Sequence, residues 1–313
     1  VRLEAMTPEQ YEAKYGDTEY WRIVAQAVLR RENLTASELT RYKYGYNILF
    51  ALGGGKVLKL FPPFCQEDYR KEEAVLVNLA PGFTGVEVPR LLHTGSYYGW
   101  PYIIMSRLPG ELVNDNLGSL SAAEKLRLAA DLGLLIRAVH SQPADRFQAV
   151  DIGWAAFLQR QYVNCLEHHK QSGLKPSLLD HLPAYLAEEY LDYTPAPVLL
   201  TGEYTPFNLL LSREDGMRRL SGLVDFADCF LGDGDYDLLG PIAFMFYPEP
   251  ETVRVFLEGY GYTAAHLTGR LRRKLMIYLL LHRYSDISFY LTKSEKAGQA
   301  ATLTELAEIF FPF

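Results

Sequence analysis

The sequence predicts an α+β chain in two lobes, a small β-rich N-lobe followed by a larger helical C-lobe. Three observations predict it. Apolar and aromatic residues run in short β-like segments as far as Met105, and the spacing turns helical after Leu108-Pro109-Gly110. Gly53-Gly54-Gly55 joins two such segments in the manner of a hairpin turn. The 313 residues, 49% of them hydrophobic, suit about two domains of ~100–200 residues with ample core. The expected boundary makes residues 1–107 the N-lobe with an N-terminal helical extension and residues 108–313 the C-lobe.

In chain order, Leu3 to Arg31 has helical spacing, and Thr7-Pro8-Glu9-Gln10 reads as its start, with Thr as cap and Pro in the first turn. Leu39 to Leu52 and Lys56 to Phe61 form the hairpin, ended by Pro62-Pro63. Glu67 to Leu79 carries Val75, Leu76 and Leu79 on one face of an amphipathic helix, which Pro81-Gly82 stops. Val88 to Leu92 and Tyr102 to Met105 read as two further strands, giving the order strand, strand, helix, strand, strand. Ser121 to His140 opens on Ser-Ala-Ala-Glu, the spacing of a capping box, and continues as an apolar-faced helix. Helices follow at Trp154 to His169 and Leu178 to Tyr190. A β interruption comes next, at Val198 to Leu200, Asn208 to Leu211 and Leu220 to Phe226, and helices return from Tyr236 to the C-terminus.

Charge and cysteine content exclude several functions. The balance of 31 Lys+Arg against 38 Asp+Glu, net −7, argues against nucleic acid and anionic membrane as partners, because both require a basic face. The run Arg270-Leu271-Arg272-Arg273-Lys274 accordingly reads as a solvated helical face. No apolar run approaches the ~20 residues that cross a bilayer, and the first residues lack a signal-peptide core, so a cytoplasmic location is expected. Cys65, Cys165 and Cys229 are far apart with no CxxC pair, which implies neither a disulfide framework nor a zinc site. They read as buried or free thiols. The oligomeric state is not fixed by the sequence.

The chemistry concentrates between residues 199 and 237. Glu203 and Asn208 lie five apart on a loop between two apolar strands, and Asp225 ends the next strand, Gly222-Leu223-Val224. An Asn and an Asp are hard oxygen ligands of the kind Mg²⁺ takes together with phosphate oxygens, and a nearby carboxylate can accept a proton from a hydroxyl. With a lysine for phosphate, that is the division of labour of phosphoryl transfer. Lys59 stands on the second hairpin strand.

These motifs resemble the aminoglycoside phosphotransferase and choline kinase-like family, small-molecule kinases with a protein-kinase-like fold. That family's catalytic loop reads H-G-D-x-x-x-x-N, and here the stretch is Thr201-Gly202-Glu203-x-x-x-x-Asn208. Its metal segment, I-D-F/W-x-D followed by G-D-x-x-x-D-L, corresponds to Val224-Asp225-Phe226-Ala227-Asp228 and Gly232-Asp233-Gly234-Asp235-Tyr236-Asp237-Leu238. Upstream, Val57-Leu58-Lys59, Glu72, Val88-Pro89-Arg90-Leu91-Leu92 and the hinge-like Met105-Ser106-Arg107-Leu108-Pro109-Gly110 extend the resemblance over about residues 40–245.

The resemblance implies an ATP- or GTP-dependent, Mg²⁺-requiring phosphotransferase acting on a hydroxyl of a small molecule, an aminoglycoside-like antibiotic or a hydroxylated metabolite. Nucleotide and hydroxyl acceptor are the implied partners. It makes Glu203, Asn208 and Asp225 the catalytic set, with Asn208 and Asp225 on the metal. Lys59 held by Glu72, Gly45 in a thin glycine loop (Tyr44-Gly45-Tyr46-Asn47), and the backbone of Ser106 and Leu108 are implied to bind nucleotide. Two positions depart from the pattern: Thr201 replaces the family's His, and Glu203 replaces its Asp. The alternative they leave is a catalytically impaired pseudokinase acting as a nucleotide- or metabolite-binding module. Asp233 and Asp237 read as structural caps, His140 as a packed histidine, and Tyr42, Tyr44, Tyr46, Tyr97, Tyr98 and Tyr102 as one face of a sheet. Asp286 and Glu249 lie where relatives build acceptor pockets, though ordinary surface carboxylates are the stronger reading. The fold does not choose the acceptor.

Overall fold

The computed structural model describes residues 3–79, 85–186 and 195–313. The chain divides into two compact units: Val1–Gly110 together with Ser221–Cys229, and Glu111–Leu220 together with Phe230–Phe313.

The first unit is built on a five-stranded antiparallel sheet. Its strands are β1 (Thr40–Arg41), β2 (Ile48–Gly53), β3 (Lys56–Leu60), β4 (Leu91–Tyr97) and β5 (Trp100–Ser106), in the spatial order β1-β2-β3-β5-β4. The glycine turn closes β2 onto β3, pairing Leu49 with Lys59. Gly53, Gly54 and Gly55 all have positive φ, which side chains with a Cβ resist. One face, with Phe50, Leu52, Leu58, Leu60, Tyr102 and Ile104, packs on the N-terminal extension through Tyr11, Trp21 and Trp100. The extension is two helices, Pro8–Tyr15 and Thr18–Arg31, and the first carries the expected Thr7 cap as a full capping box. Side chains alternate across the sheet, so Lys59 points away from that core.

The helix of the first unit spans Gln66–Asn78; its expected stop at Pro81-Gly82 lies outside the described residues. Two strand expectations need correction. The strand expected from Val88 begins at Leu91, because Pro89 has no N–H to give a ladder. Tyr42, Tyr44 and Tyr46 do not form a sheet face: β1 ends at Arg41, and the Tyr15 and Tyr11 hydroxyls donate to the carbonyls of Gly45 and Tyr46. Tyr98 sits in the β4–β5 turn at φ 51, while Tyr97 and Tyr102 are buried.

The second unit is mainly helical. β6 (Glu111–Leu112), β8 (Leu209–Glu214) and β9 (Met217–Leu223) form a three-stranded sheet, and β7 (Val198–Leu200) pairs antiparallel with β10 (Phe230–Gly232). The helix Ala122–His140 opens on the expected Ser121/Glu124 capping box. It packs on Pro250–Tyr260 so closely that a Cβ on Gly133 would lie 2.3 Å from the Phe256 carbonyl oxygen. Trp154–Gln171 is one helix, whereas the helix expected from Leu178 is two short turns, Pro176–Leu179 and Leu182–Tyr185, interrupted before Pro183. The rest of that expectation, to Tyr190, reaches residues outside those described. All three cysteines are free and buried. No described helix is long and apolar enough to cross a membrane.

Candidate functional site

In the first unit the structure brings Lys59, Glu72 and Asp225 together. Lys59 is 1% exposed, and its Nζ donates to Glu72 Oε2 at 2.6 Å and to Asp225 Oδ1 at 2.8 Å. Lys56 is exposed at the hairpin turn, and Glu73 accepts instead from the Tyr69 hydroxyl. Asp225 reaches this unit because Glu87 captures the end of β9. The Glu87 N–H donates to the Ser221 carbonyl at 2.8 Å, and the Leu223 N–H donates to the Glu87 carbonyl at 2.9 Å.

Asp225 is not a strand residue, as the sequence suggested. β9 ends at Leu223, and Asp225 takes the left-handed region at φ 67. Aspartate tolerates that conformation because its short carboxylate can bond the nearby backbone, here the Ala227 N–H at 3.3 Å.

Burial works against every charge in this trio. It would lower the Lys59 pKa, but Asp225 and Glu72 together raise it above the ordinary lysine value, so the lysine stays protonated. Burial pushes the Glu72 carboxyl up against the pull of Lys59. Asp225 is also pushed up by burial, but the Lys59 charge, their hydrogen bond and the Ala227 N–H outweigh this and hold it below its usual range. Its side chain is 34% exposed, and Oδ2 has no protein partner among the described residues. That oxygen fits a hard cation.

In the second unit, the loop after β7 carries Glu203 and Asn208. Asp237 anchors its start, Oδ2 accepting from the Thr201 N–H at 2.9 Å and Oδ1 from the Gly202 N–H at 3.0 Å. His140, buried at the end of its helix, lies 3.2 Å from Asp237 Oδ2 and 3.0 Å from the Tyr260 hydroxyl. The Asn208 Nδ2 donates to the Glu203 carbonyl oxygen at 3.1 Å and to its carboxylate at 3.3 Å. Asn208 Oδ1 therefore has no protein partner among the described residues, and it too suits a hard cation. Thr201, where the resemblance has a histidine, is 1% exposed and its hydroxyl finds no partner among the described residues.

Other expected residues fall differently. Gly45 lies in the loop before β2 at φ 106. The Ser106 N–H donates to the Arg90 carbonyl at 2.9 Å and so is not open to a nucleobase, whereas the Leu108 backbone has no partner among the described residues. Asp233 caps the turn that follows it through the Asp235 N–H. The basic run at 270–274 is not a solvated face, since Lys274 is largely buried and contacts Asp233 at 2.6 Å and Asp235 at 2.7 Å. Its neighbours Arg272 and Arg273 bond the carbonyls of Phe311 and Tyr185. A recoverable signal was the triple Asp233-x-Asp235-x-Asp237 among apolar residues, which demands a counter-charge.

A cavity opens beside Glu203 within this unit, lined by Leu239, Phe244, Leu279 and Tyr290 among others. Glu249 and Asp286 do not line it. Glu249 pairs with Lys125 at 2.8 Å, and Asp286 caps the short helix Ile287–Leu291.

A buried lysine on an antiparallel sheet, paired with a glutamate on the next helix, together with a carboxylate–asparagine loop on a helical unit, defines a kinase-like phosphotransferase of the small-molecule class. The chain belongs to the phosphotransferase enzyme family, whose model matches residues 46–275. Among solved structures it resembles the GDP and kanamycin complex of APH(2")-IIia, with 20% identity and a TM-score of 0.66 over 88% of this chain and 93% of that one. The GDP complex of wild-type aminoglycoside 2'-phosphotransferase-IIIa gives 18% and 0.67 over 93% and 97%. The streptomycin-ATP-APH(2")-IIa ternary complex gives 19% and 0.57 over 99% and 100%. At these identities the likeness is one of fold.

Proposed function

We propose that the chain transfers the γ-phosphoryl group of ATP or GTP to a hydroxyl of a small molecule and requires Mg²⁺. The observation that carries this reading is the Lys59–Glu72–Asp225 trio, in which a protonated lysine is held in a buried position and one Asp225 oxygen is left open. Lys59 would neutralise nucleotide phosphates, with Glu72 fixing its position. Asp225 and Asn208 would hold the metal, which when bound supplies positive charge to the phosphate oxygens. Gly45 and Leu108 remain candidates for nucleotide contact through their backbone.

At the acceptor, the hydroxyl oxygen would bond to the γ-phosphorus as the bond to the β–γ bridging oxygen breaks. The hydroxyl proton passes to Glu203, and the nucleoside diphosphate leaves. Such transition states are loose, so placement and charge outweigh base strength, and a Glu at the position of an Asp is tolerable. Residues 1–107, completed by Ser221–Cys229, would serve the nucleotide, and residues 108–313 the catalytic loop and acceptor.

Titration of Mg·ATP and Mg·GTP against wild type and Lys59→Ala tests the reading. Binding should weaken at least about ten-fold in the variant, a loss of ~1.4 kcal/mol, while Lys56→Ala binds as wild type. Equal binding by all three proteins would refute it. The binding-module alternative draws on one observation: the Glu203 carboxylate is already engaged by Asn208. Thermal stabilisation by nucleotide without transfer to any hydroxyl would favour it.

A further inference from the structure

A cavity of about 450 Å³ opens in the first unit, between the end of its first helix and the stretch that carries β1. That volume is within the range of small-molecule sites. Tyr15, Gly16, Thr18 and Arg22 of the N-terminal extension form one wall, and residues 39–43 form the other. β1 is an edge strand of the sheet, two ladder spacings or roughly 10 Å from β3, which carries Lys59. The cavity is therefore separate from the Lys59 trio.

Its wall is basic. Among the described lining residues are Arg22, Arg41 and Lys43 and no carboxylate, in a chain whose net charge is −7. Nearby acids are engaged elsewhere. Asp17 accepts from Lys14 and from the Tyr20 N–H, and Glu38 faces Arg107 at 3.8 Å. Glu19 approaches Arg22 at 3.5 Å, in a pair exposed on both sides, and such pairs hold weakly.

The two arginines have donors to spare. The Arg41 guanidinium lies over the Tyr15 ring at 4.6 Å, which orients its plane but uses none of its N–H groups, and these meet no acceptor among the described residues. Tyr15 is itself held, its hydroxyl donating to the Gly45 carbonyl. Arg22 Nε is buried and has no acceptor among the described residues. The backbone adds another donor. The Tyr42 N–H bonds the Leu49 carbonyl, and since antiparallel ladder bonds alternate, the Arg41 N–H turns away from β2 toward the open edge.

Three like charges around one cavity repel one another, and a buried N–H without an acceptor costs stability. An anion in the cavity relieves both. One with several oxygens and more than one charge fits best, because each planar guanidinium can bond a pair of oxygens. We propose that this cavity binds a small multivalent oxyanion, an organic phosphate or a polycarboxylate, at a site separate from that of the nucleotide. Nucleic acid would need a basic face far wider than three residues.

Calorimetric titration of the whole chain with pyrophosphate and with citrate, in the absence of Mg²⁺ and nucleotide, tests it. At least one of them should bind with a Kd below about 1 mM, and affinity should fall as salt is raised. Tighter binding of pyrophosphate would identify the occupant as a phosphate compound, and tighter binding of citrate as a polycarboxylate. Arg22→Gln and Arg41→Gln should each weaken binding about ten-fold, and Arg41→Lys, which keeps the charge but not the planar fork, should fall between Arg41→Gln and wild type. All three should melt within a few degrees of wild type, since neither arginine is fully buried. Lys59→Ala should bind the anion as wild type does. Anion binding lost in Lys59→Ala and kept in Arg41→Gln would overturn the proposal by placing the anion at the nucleotide site. Absence of binding by either anion, or binding that neither arginine substitution weakens, would also overturn it.

Discussion

Each unit buries one lysine between two carboxylates, and the two clusters differ in how completely they are satisfied. Around Lys274, all four carboxylate oxygens have partners. Asp233 receives the Asp235 N–H and the Tyr278 hydroxyl, Asp235 receives the Tyr262 hydroxyl, and the lysine bridges both. Around Lys59, Asp225 keeps Oδ2 open, is partly exposed, and sits on a left-handed backbone. Burial of a charged group is common to both, so burial alone does not mark a functional site. An unfilled lone pair beside a left-handed backbone position is what distinguishes the cluster proposed to bind nucleotide and metal.

Substitutions should separate the two clusters. The largest effect is expected for Asp225→Asn, which should cut turnover on the order of 10³-fold by removing a charge where negative charge develops, with a melting temperature within a few degrees of wild type. A variant with unchanged Mg²⁺ dependence would remove Asp225 from the site. Lys274→Met should do the opposite. It strands two buried carboxylates, costing about 3–5 kcal/mol and lowering the melting temperature by about 10 °C, while activity per folded molecule stays near wild type. Loss of turnover at an unchanged melting temperature would show that the clusters have been assigned the wrong way round.

Next comes Glu203→Gln, which should lower turnover about 10²-fold or more with nucleotide affinity unchanged. Glu203→Asp sharpens it: a loop fitted to the longer side chain loses activity on shortening, and transfer above wild type would mean that it is not so fitted.

Acid titration gives the smallest effect. The Ser121 and Arg218 N–H groups hold Glu124 at about 2, against an ordinary 4.5. A depressed carboxylate stabilises the fold above its unfolded value and loses this as pH falls through the folded one. The melting-temperature gap between wild type and Glu124→Gln should therefore be constant above about pH 5 and close toward pH 2. Lys274, with its pKa raised by Asp235 and Asp233 in spite of burial, should keep its contribution throughout that range and lose it only in strong alkali.

The open cluster was more legible in the sequence than the closed one. Lys59 stands in an apolar strand whose register is set by a glycine turn, and the family resemblance pairs it with Glu72, one helical turn before Val75 and Leu76. Val224 and Phe226 flank Asp225 and pointed to a buried carboxylate, whereas its side chain is 34% exposed. Its backbone was not legible, since an Asp in the left-handed region looks like any other Asp. Lys274 was hidden within a run of basic residues. The helix Gly269–Leu280 turns Lys274 and Tyr278 to the same side, and only the acidic triplet at 233–237 says that one of the four basic residues must face inward. The tyrosines at 42, 44 and 46 misled for a related reason: a period of two suggests a strand, but side-chain hydroxyls from a distant helix took the carbonyls a neighbouring strand would need.

The nine-residue return of the chain, Ser221–Cys229, into the first unit has a consequence in time. Lys59 is made 166 residues before Asp225. At ~5–20 residues per second of synthesis, that is a wait of roughly 8–33 s during which the lysine has Glu72 alone as counter-charge. Until the ribosome reaches Cys229, the sheet exists without the segment that Glu87 captures, and the early part of the molecule is an unfinished piece rather than an independently completed domain. Cutting the chain after Gly110 would thus yield a fragment lacking part of its own interior. A circular permutant that begins at Ser221 would instead bring the two parts of that unit out first and in direct succession.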